Sequence, residues 1–376
     1  MTMPWAPFEL ERFFARYEFE VAYVLCASDC ETMTVRELTE LEPGGEEVLM
    51  QLPLGYTKSS GSPALREAIR QIYTTVDSDE VLVHAGAEEA IFLFMHGVLT
   101  RGDHVIVHWP CYQSLAEVAQ GLGCSVSRWM AREDDGWALE PDDLRALIRP
   151  KTRVVVINTP HNPTGYQMSS AVYREIVTMA EEAGCWLFSD EVYRESEYDA
   201  RDRLPAACDF GERTISLGVM SKTYGLPGLR IGWVATHDRT VLERMAQLKD
   251  YTTICSAAPS EFLAELALRH RDVLVARTAA LLATNLPILA DFIKRHRHLM
   301  TWHRPGAGPI AFPRLVGPAA EIGDRVLCEM LARDAGVLLL PGSVYGIPDH
   351  VRVGFGRRNF AEGLAHLGSH LAKLFS

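Results

Sequence analysis

The sequence predicts an α/β protein, with a large domain on a mainly parallel sheet and a smaller α+β domain. Three observations carry this reading. Between about residues 80 and 240, short β-rich runs alternate with helical stretches, the pattern of successive βαβ units. Several runs, such as Val154-Val155-Val156-Ile157, are apolar without interruption, as a strand covered on both faces requires. After about residue 255 the alternation stops. A chain of 376 residues also exceeds one simple core. The expected division is an N-terminal segment over 1–45 that joins the small domain, a large domain over 46–255 and a small domain over 256–376.

In chain order, Val81–His84 reads as the first strand and runs into Gly86. Ala87–Leu99 is a helix, apolar nearly all round and therefore buried. Strands follow at His104–His108, Val154–Ile157, Trp186–Ser189, Thr214–Leu217 and Ile231–Val234. Helices over Ser114–Gly121, Asp142–Ile148 and Ala171–Glu182 lie between them. Beyond, Glu261–Arg297 is helical, with Pro287 expected to kink or break it. Short strands come at Pro309–Pro313, Val337–Leu340 and Val351–Phe355. Ligands of such sheets sit at the carboxyl ends of the strands.

Composition narrows the function. The chain is 48% apolar and 23% charged, ordinary for a soluble globular enzyme. A formal net charge of −12 argues against nucleic acid or an anionic membrane as partner. The basic run Lys294-Arg295-His296-Arg297-His298 reads as a solvated helix end. Met1–Phe14 shows no signal peptide. The apolar run Ala90–Leu99 is too short to span a bilayer. The eight cysteines are scattered without a Cys-x-x-Cys pair, so neither a metal site nor a disulfide framework is expected, and a reducing cytoplasm fits.

The chemistry concentrates after the strands. Ser221-Lys222-Thr223-Tyr224-Gly225-Leu226-Pro227-Gly228-Leu229-Arg230 places a lysine between a small hydroxyl and an arginine eight residues on. A lysine nucleophile beside two anion-binding side chains suits a phosphorylated aldehyde. Asp190-Glu191-Val192-Tyr193 follows the fourth strand of the reading. Asp190 is a candidate for charge pairing with a ring nitrogen and Tyr193 for a hydrogen bond to a ring oxygen. Asn158-Thr159-Pro160-His161-Asn162-Pro163-Thr164-Gly165 is a stiff irregular loop that can present Asn162. Gly86-Ala87-Glu88 opens the buried helix, where free backbone N–H groups accept a phosphate.

These segments resemble those of the class I/II aminotransferases, the fold-type-I enzymes that depend on pyridoxal 5′-phosphate (PLP). The likeness runs in order from about Leu52 to Phe355, and Asn-Pro-Thr-Gly is unchanged. It implies that family's fold, with a large seven-stranded-type sheet. It implies PLP on Lys222 as a Schiff base, Asp190 at the pyridine nitrogen, and Asn162 and Tyr193 at the phenolic oxygen. Gly86, Ala87, Glu88, Ser221 and Arg230 would hold the phosphate, although the family often carries Ser or Thr in place of Ala87. Tyr112 would stack on the ring, and Arg352 would clamp the substrate carboxylate. Tyr56, in the Tyr56–Arg66 segment, would reach the phosphate of a neighbouring subunit, so a homodimer with shared sites is implied.

The first expectation for the reaction is transamination between an amino acid and a 2-keto acid. Lys222 would act as general base, its pKa lowered by neighbouring cations. The alternative comes from Leu217–Trp233 and Lys249-Asp250-Tyr251-Thr252-Thr253. These resemble capreomycidine synthases, which cyclise a hydroxyarginine by PLP-dependent β-replacement. Asp29 and Glu31 are then candidates to face a cationic side chain, against a plain reading as solvated loop residues. Fold-type-I transcription regulators carry a DNA-binding domain in front, and no helix-turn-helix is evident here.

Overall fold

The computed structural model describes residues 5–375. Seven strands make the central sheet: β1 (Val81–His84), β2 (His104–Trp109), β3 (Ser125–Met130), β4 (Thr152–Asn158), β5 (Trp186–Asp190), β6 (Thr214–Val219) and β7 (Gly232–Ala235). Their spatial order is β1-β7-β6-β5-β4-β2-β3. Every neighbouring pair is parallel except the two that β7 makes. β1, β2, β6 and β7 are buried along their whole length, as strands covered on both faces are.

β3 is the strand that the sequence reading passed over. It lies at the sheet edge, and of Ser125-Val126-Ser127-Arg128-Trp129-Met130 only Trp129 is buried. A half-solvated edge strand can be polar, so it lacks the apolar run used to find its neighbours.

Helices cover both faces. The labelled ones are α1 (Glu9–Tyr17), α2 (Ala87–Val98), α3 (Ser114–Gly121), α4 (Pro141–Leu147), α5 (Ser170–Glu182), α6 (Ala258–Arg269) and α7 (Arg271–Arg295). α2 buries Ala90, Ile91, Leu93, Phe94, Met95 and Val98. Its Phe94 ring lies 4.5 Å from that of Phe188 on β5, so helix and sheet share one core. α5 is capped by Ser169, whose Oγ accepts from the Val172 N–H at 3.3 Å.

Pro287 does not break the chain into two helices. α7 runs unbroken through it, and the division of the expected helical stretch falls at His270. Pro287 removes the N–H that would bond the carbonyl of Ala283. Both residues are exposed, so water can satisfy that carbonyl. α7 is long and apolar enough to cross a membrane, which the sequence reading did not notice. Here one face, with Leu274, Leu282, Leu286, Leu289, Phe292 and Ile293, packs into the core. Its basic end is solvated: Lys294, Arg295, Arg297 and His298 are exposed.

The two ends of the chain are woven together. Tyr23–Val24 pairs in parallel with Val337–Leu338. A three-stranded antiparallel sheet, β8 (Ile310–Ala311), β10 (Val351–Gly354) and β9 (Leu340–Pro341) in that spatial order, stands beside it. The Gly354 N–H donates to the Leu25 carbonyl at 2.9 Å. The chain at Leu25 therefore lies against the strand that bears Arg352.

One close approach joins the sheet to α2. A Cβ on Gly232 would meet the Gly86 carbonyl carbon at 2.7 Å and the Ala87 nitrogen at 2.8 Å. Both obstacles are backbone, so they cannot rotate away. Gly232→Ala should cost about 1–3 kcal/mol, an overpacking penalty. Urea unfolding of variant and parent checks this, and an unchanged midpoint would mean that α2 sits less tightly on β7.

Candidate active site

The carboxyl ends of β1, β2, β4, β5 and β6 open on one sheet edge. Because β7 runs the other way, its approach through Arg230 reaches that same edge. A cavity of ≈430 Å³ lies there. Lys222, Asp190, Tyr193, Asn162, Ser221, Arg230, Ala87, Glu88, Tyr112 and Arg352 all line it. Gly86 caps α2 at its side. Tyr56 does not line it and is 92% exposed.

Lys222 is half-buried, and its Nζ donates to Ser28 Oγ at 2.8 Å. Its pKa is lowered, but chiefly by burial and not by neighbouring cations as expected. Arg352 adds to the lowering, while Asp29 and Asp190 oppose it.

Asp190 ends β5, in register with Asn158 of β4. Its carbonyl accepts from Asn158 Nδ2 at 2.9 Å and from the Thr159 N–H at 3.0 Å. Its carboxyl accepts from the Val192 N–H at 3.2 Å and has no salt bridge among the described residues. Burial pushes its pKa up to about 7. A carboxyl held this way lacks the cation that would keep it ionised.

Tyr193 is the second incomplete group: its hydroxyl is buried and has no hydrogen-bond partner among the described residues. Asn162 sits on the loop after β4, its N–H donating to Asn158 Oδ1 at 2.7 Å. Its own Oδ1 accepts from Tyr345 Oη at 3.1 Å and Arg352 Nη1 at 3.2 Å. The loop needs Gly165, which has φ +69° and faces Pro305 so closely that a Cβ would lie 2.4 Å from the proline Cβ.

Arg352 is fully buried. It donates through Nε at 3.1 Å and Nη2 at 2.8 Å to the Cys26 carbonyl, and through Nη1 to Tyr345 Oη. Those bonds fix the guanidinium plane at the cavity wall. Tyr345 is a residue that sequence reasoning missed.

Gly86, at φ +88°, leaves the first turn of α2 without a side-chain cap, so backbone N–H groups are free there. A Cβ at Gly86 would come within 2.5 Å of Arg230 Nη2, so glycine also lets the guanidinium approach. Glu88 contributes more than a backbone N–H. Its side chain lines the cavity, accepts from Ser114 Oγ at 3.1 Å, and has its pKa pushed up by burial to about 7.

The other missed residues come from the N-terminal segment. Leu10, Glu11, Phe14 and Glu18, on and just after α1, line the cavity with Ala27, Ser28 and Asp29. The spacing of Glu11, Phe14 and Glu18 puts them on one helical face, a signal present in the sequence and not used. Asp29, one of the two acidic candidates, does face the cavity, whereas Glu31 lines a groove outside it.

The family model for aminotransferase class I and II matches residues 22–364. The chain belongs to that family. Capreomycidine synthase of Streptomyces vinaceus is 30% identical over 98% of this chain and 94% of its own length. A PLP-dependent aminotransferase from Streptococcus suis superposes with TM-score 0.92 at 32% identity, covering 99% of both chains. The PLP-dependent cyclase OrfR does so with TM-score 0.88 at 31% identity, covering 98% of both.

The family's cofactor is PLP, and this cavity fits it. Asp190 lacks a cation, the Tyr193 hydroxyl lacks a partner, and the start of α2 has free N–H groups beside Arg230. A protonated pyridine, a phenolic oxygen and a phosphate answer those three needs.

Asp190 also gives a pH signature. Its folded pKa is raised above its unfolded value, so in cofactor-free protein its stability contribution is whole below about pH 4 and lost by about pH 7. Asp190→Asn removes that loss. The Tm of the cofactor-free variant, relative to the parent, should therefore rise between about pH 5 and about pH 8. Equal differences at both pH values would contradict the burial assigned to Asp190.

Proposed function

We propose that this PLP-dependent enzyme acts on an α-amino acid whose side chain ends in a guanidinium. The observation that carries the reading is the charge arrangement of the cavity. Arg352 lines one part, suited to an α-carboxylate, and Glu11, Glu18 and Asp29 supply carboxyls to the same cavity. Asp29 already has a counter-charge in Arg357, but Glu11 and Glu18 are in no salt bridge among the described residues, and an apolar or acidic side chain would bring them none.

The residue roles are proposed accordingly. Asp190 pairs with the cofactor ring nitrogen, and Tyr193 and Asn162 face its phenolic oxygen. Tyr112 lies on its ring, while Ser221, Arg230 and the backbone of Gly86, Ala87 and Glu88 hold its phosphate. When bound, the cofactor supplies a carbonyl for the substrate amine and a sink for the electrons of the broken Cα–H bond. Lys222 takes the α-proton, and its burial favours the neutral amine that this requires. Arg352 orients the carboxylate so that the Cα–H bond faces Lys222.

For the reaction we favour intramolecular β-replacement: a Cβ hydroxyl leaves as water and a guanidine nitrogen bonds to Cβ. Two supports raise it above transamination, the first expectation. Glu18 and Glu88 have pKa values raised by burial, so they can exchange protons with a leaving hydroxyl and an attacking guanidinium. Transamination asks for no such groups beyond Lys222. The similarity to capreomycidine synthase also spans the N-terminal segment that carries Glu11 and Glu18. Transamination remains the second reading, supported by the complete set of general elements and the Streptococcus suis neighbour.

Incubation of the holoenzyme with arginine and 3-hydroxyarginine, with and without a 2-keto acid, tests both. The expected result is loss of water from hydroxyarginine over many turnovers without an acceptor, followed by mass spectrometry. Turnover of arginine only with a keto acid would establish the transaminase. Activity confined to amino acids without a cationic side chain would overturn the substrate class.

We further propose a homodimer in which Tyr56 serves the partner's site. Tyr56 lies outside its own cavity and is exposed with Met50 and Leu54 on the same stretch of chain. Tyr56→Phe and Lys222→Ala chains, each impaired alone, should regain part of the activity when mixed, because one site in each mixed dimer then carries neither lesion. No recovery after verified subunit exchange would count against sharing.

A further inference from the structure

The Asp29 carboxylate is already engaged. Arg357 Nη2 donates to its Oδ1 at 2.8 Å and its Oδ2 at 2.9 Å. Asp29 lines the catalytic cavity, whereas Arg357 lines an adjoining outer groove of ≈490 Å³. Glu18 lines both spaces. This ion pair is therefore part of the wall between the cavity and the groove. From the groove side it presents a guanidinium to the same carboxylate that the proposed substrate would bring one to from the cavity side.

We infer that Arg357 holds Asp29 before substrate binds and is displaced by a substrate guanidinium, and that this competition tempers the affinity for that guanidinium. The inference rests on the guanidinium reading of the substrate. Exchange of one guanidinium for another conserves the charge at Asp29, so the carboxylate is never left bare in the wall. A neutral side chain cannot make the exchange, and Arg357 then stays in place.

The fold provides for the movement. The backbone at Arg357 is pinned, since Asn285 Nδ2 donates to the Phe355 carbonyl at 2.8 Å and to the Arg357 carbonyl at 2.9 Å. The side chain is partly exposed and faces the groove. A second carboxylate, Glu31, lines that groove and offers Arg357 another partner. The same segment holds Arg352, five residues earlier, so one stretch of chain reads both ends of the substrate.

The test is spectral titration of holoenzyme with α-methyl-L-arginine, which has no α-proton to lose, and its uncharged counterpart α-methyl-L-citrulline. Preference of the parent for the arginine analogue supports the substrate reading by itself. Its absence overturns that reading and this inference with it. Arg357→Gln, which frees Asp29, should bind α-methyl-L-arginine roughly three- to tenfold more tightly, the scale of a part-exposed ion pair. Binding of α-methyl-L-citrulline should stay the same. Arg358→Gln removes an equal charge one residue on and should change neither by more than about twofold. In an Asp29→Asn background the Arg357→Gln gain should vanish, as coupling through Asp29 demands. Unchanged or weaker binding of the arginine analogue by Arg357→Gln overturns the inference. So does an equal gain from Arg358→Gln, or a gain that persists without Asp29.

Discussion

The site depends on a buried carboxyl that the protein itself leaves without a cation. Asp190 is placed by strand register: β4 and β5 pair Asn158 with Asp190, and Asn158 and Thr159 hold the Asp190 carbonyl. That lattice fixes the carboxyl beneath the cavity, where burial makes ionisation costly. In the proposed placement of the cofactor, a cationic ring beside Asp190 would offset that cost. Tyr193 and Asn162 sit near it because their segments leave neighbouring strands at the same edge.

A second constraint joins the chain ends. Arg352 is buried only because Cys26 offers a carbonyl, and Asn162 and Tyr345 offer oxygens, to its guanidinium. Cys26 belongs to the N-terminal segment, Asn162 to a loop of the large sheet, and Arg352 and Tyr345 to the C-terminal part. One side chain thus ties three regions at the cavity wall. The N-terminal segment brings Glu11, Glu18, Ser28 and Asp29 with it. The cavity is therefore lined in good part by residues far in sequence from Lys222.

Much of the architecture was legible in the chain. Apolar runs located the six buried strands, and helical periodicity located α2, α3, α4 and α5 to within a residue or so. The edge strand β3 was not legible, because water on one side relaxes the demand for apolar residues. For a related reason Pro287 does not end its helix: an exposed carbonyl tolerates the missing hydrogen bond, and exposure is not a property of the proline itself. The cavity-lining residues Lys222, Asp190, Asn162 and Arg230 stood out because each follows or precedes a strand within a short, unusual segment.

What the sequence determined by itself was the order of elements, the edge where they open and the local segments that suit PLP, all consequences of short-range pattern. Tertiary structure decided which distant groups meet. It set Asp29 against the cavity and Glu31 outside it, though they are two residues apart and alike in chemistry. It placed α1 along the cavity and left Asp190 without a cation. These are outcomes of packing between segments hundreds of residues apart, and only the folded chain brings them within the few ångströms over which hydrogen bonds and desolvation act.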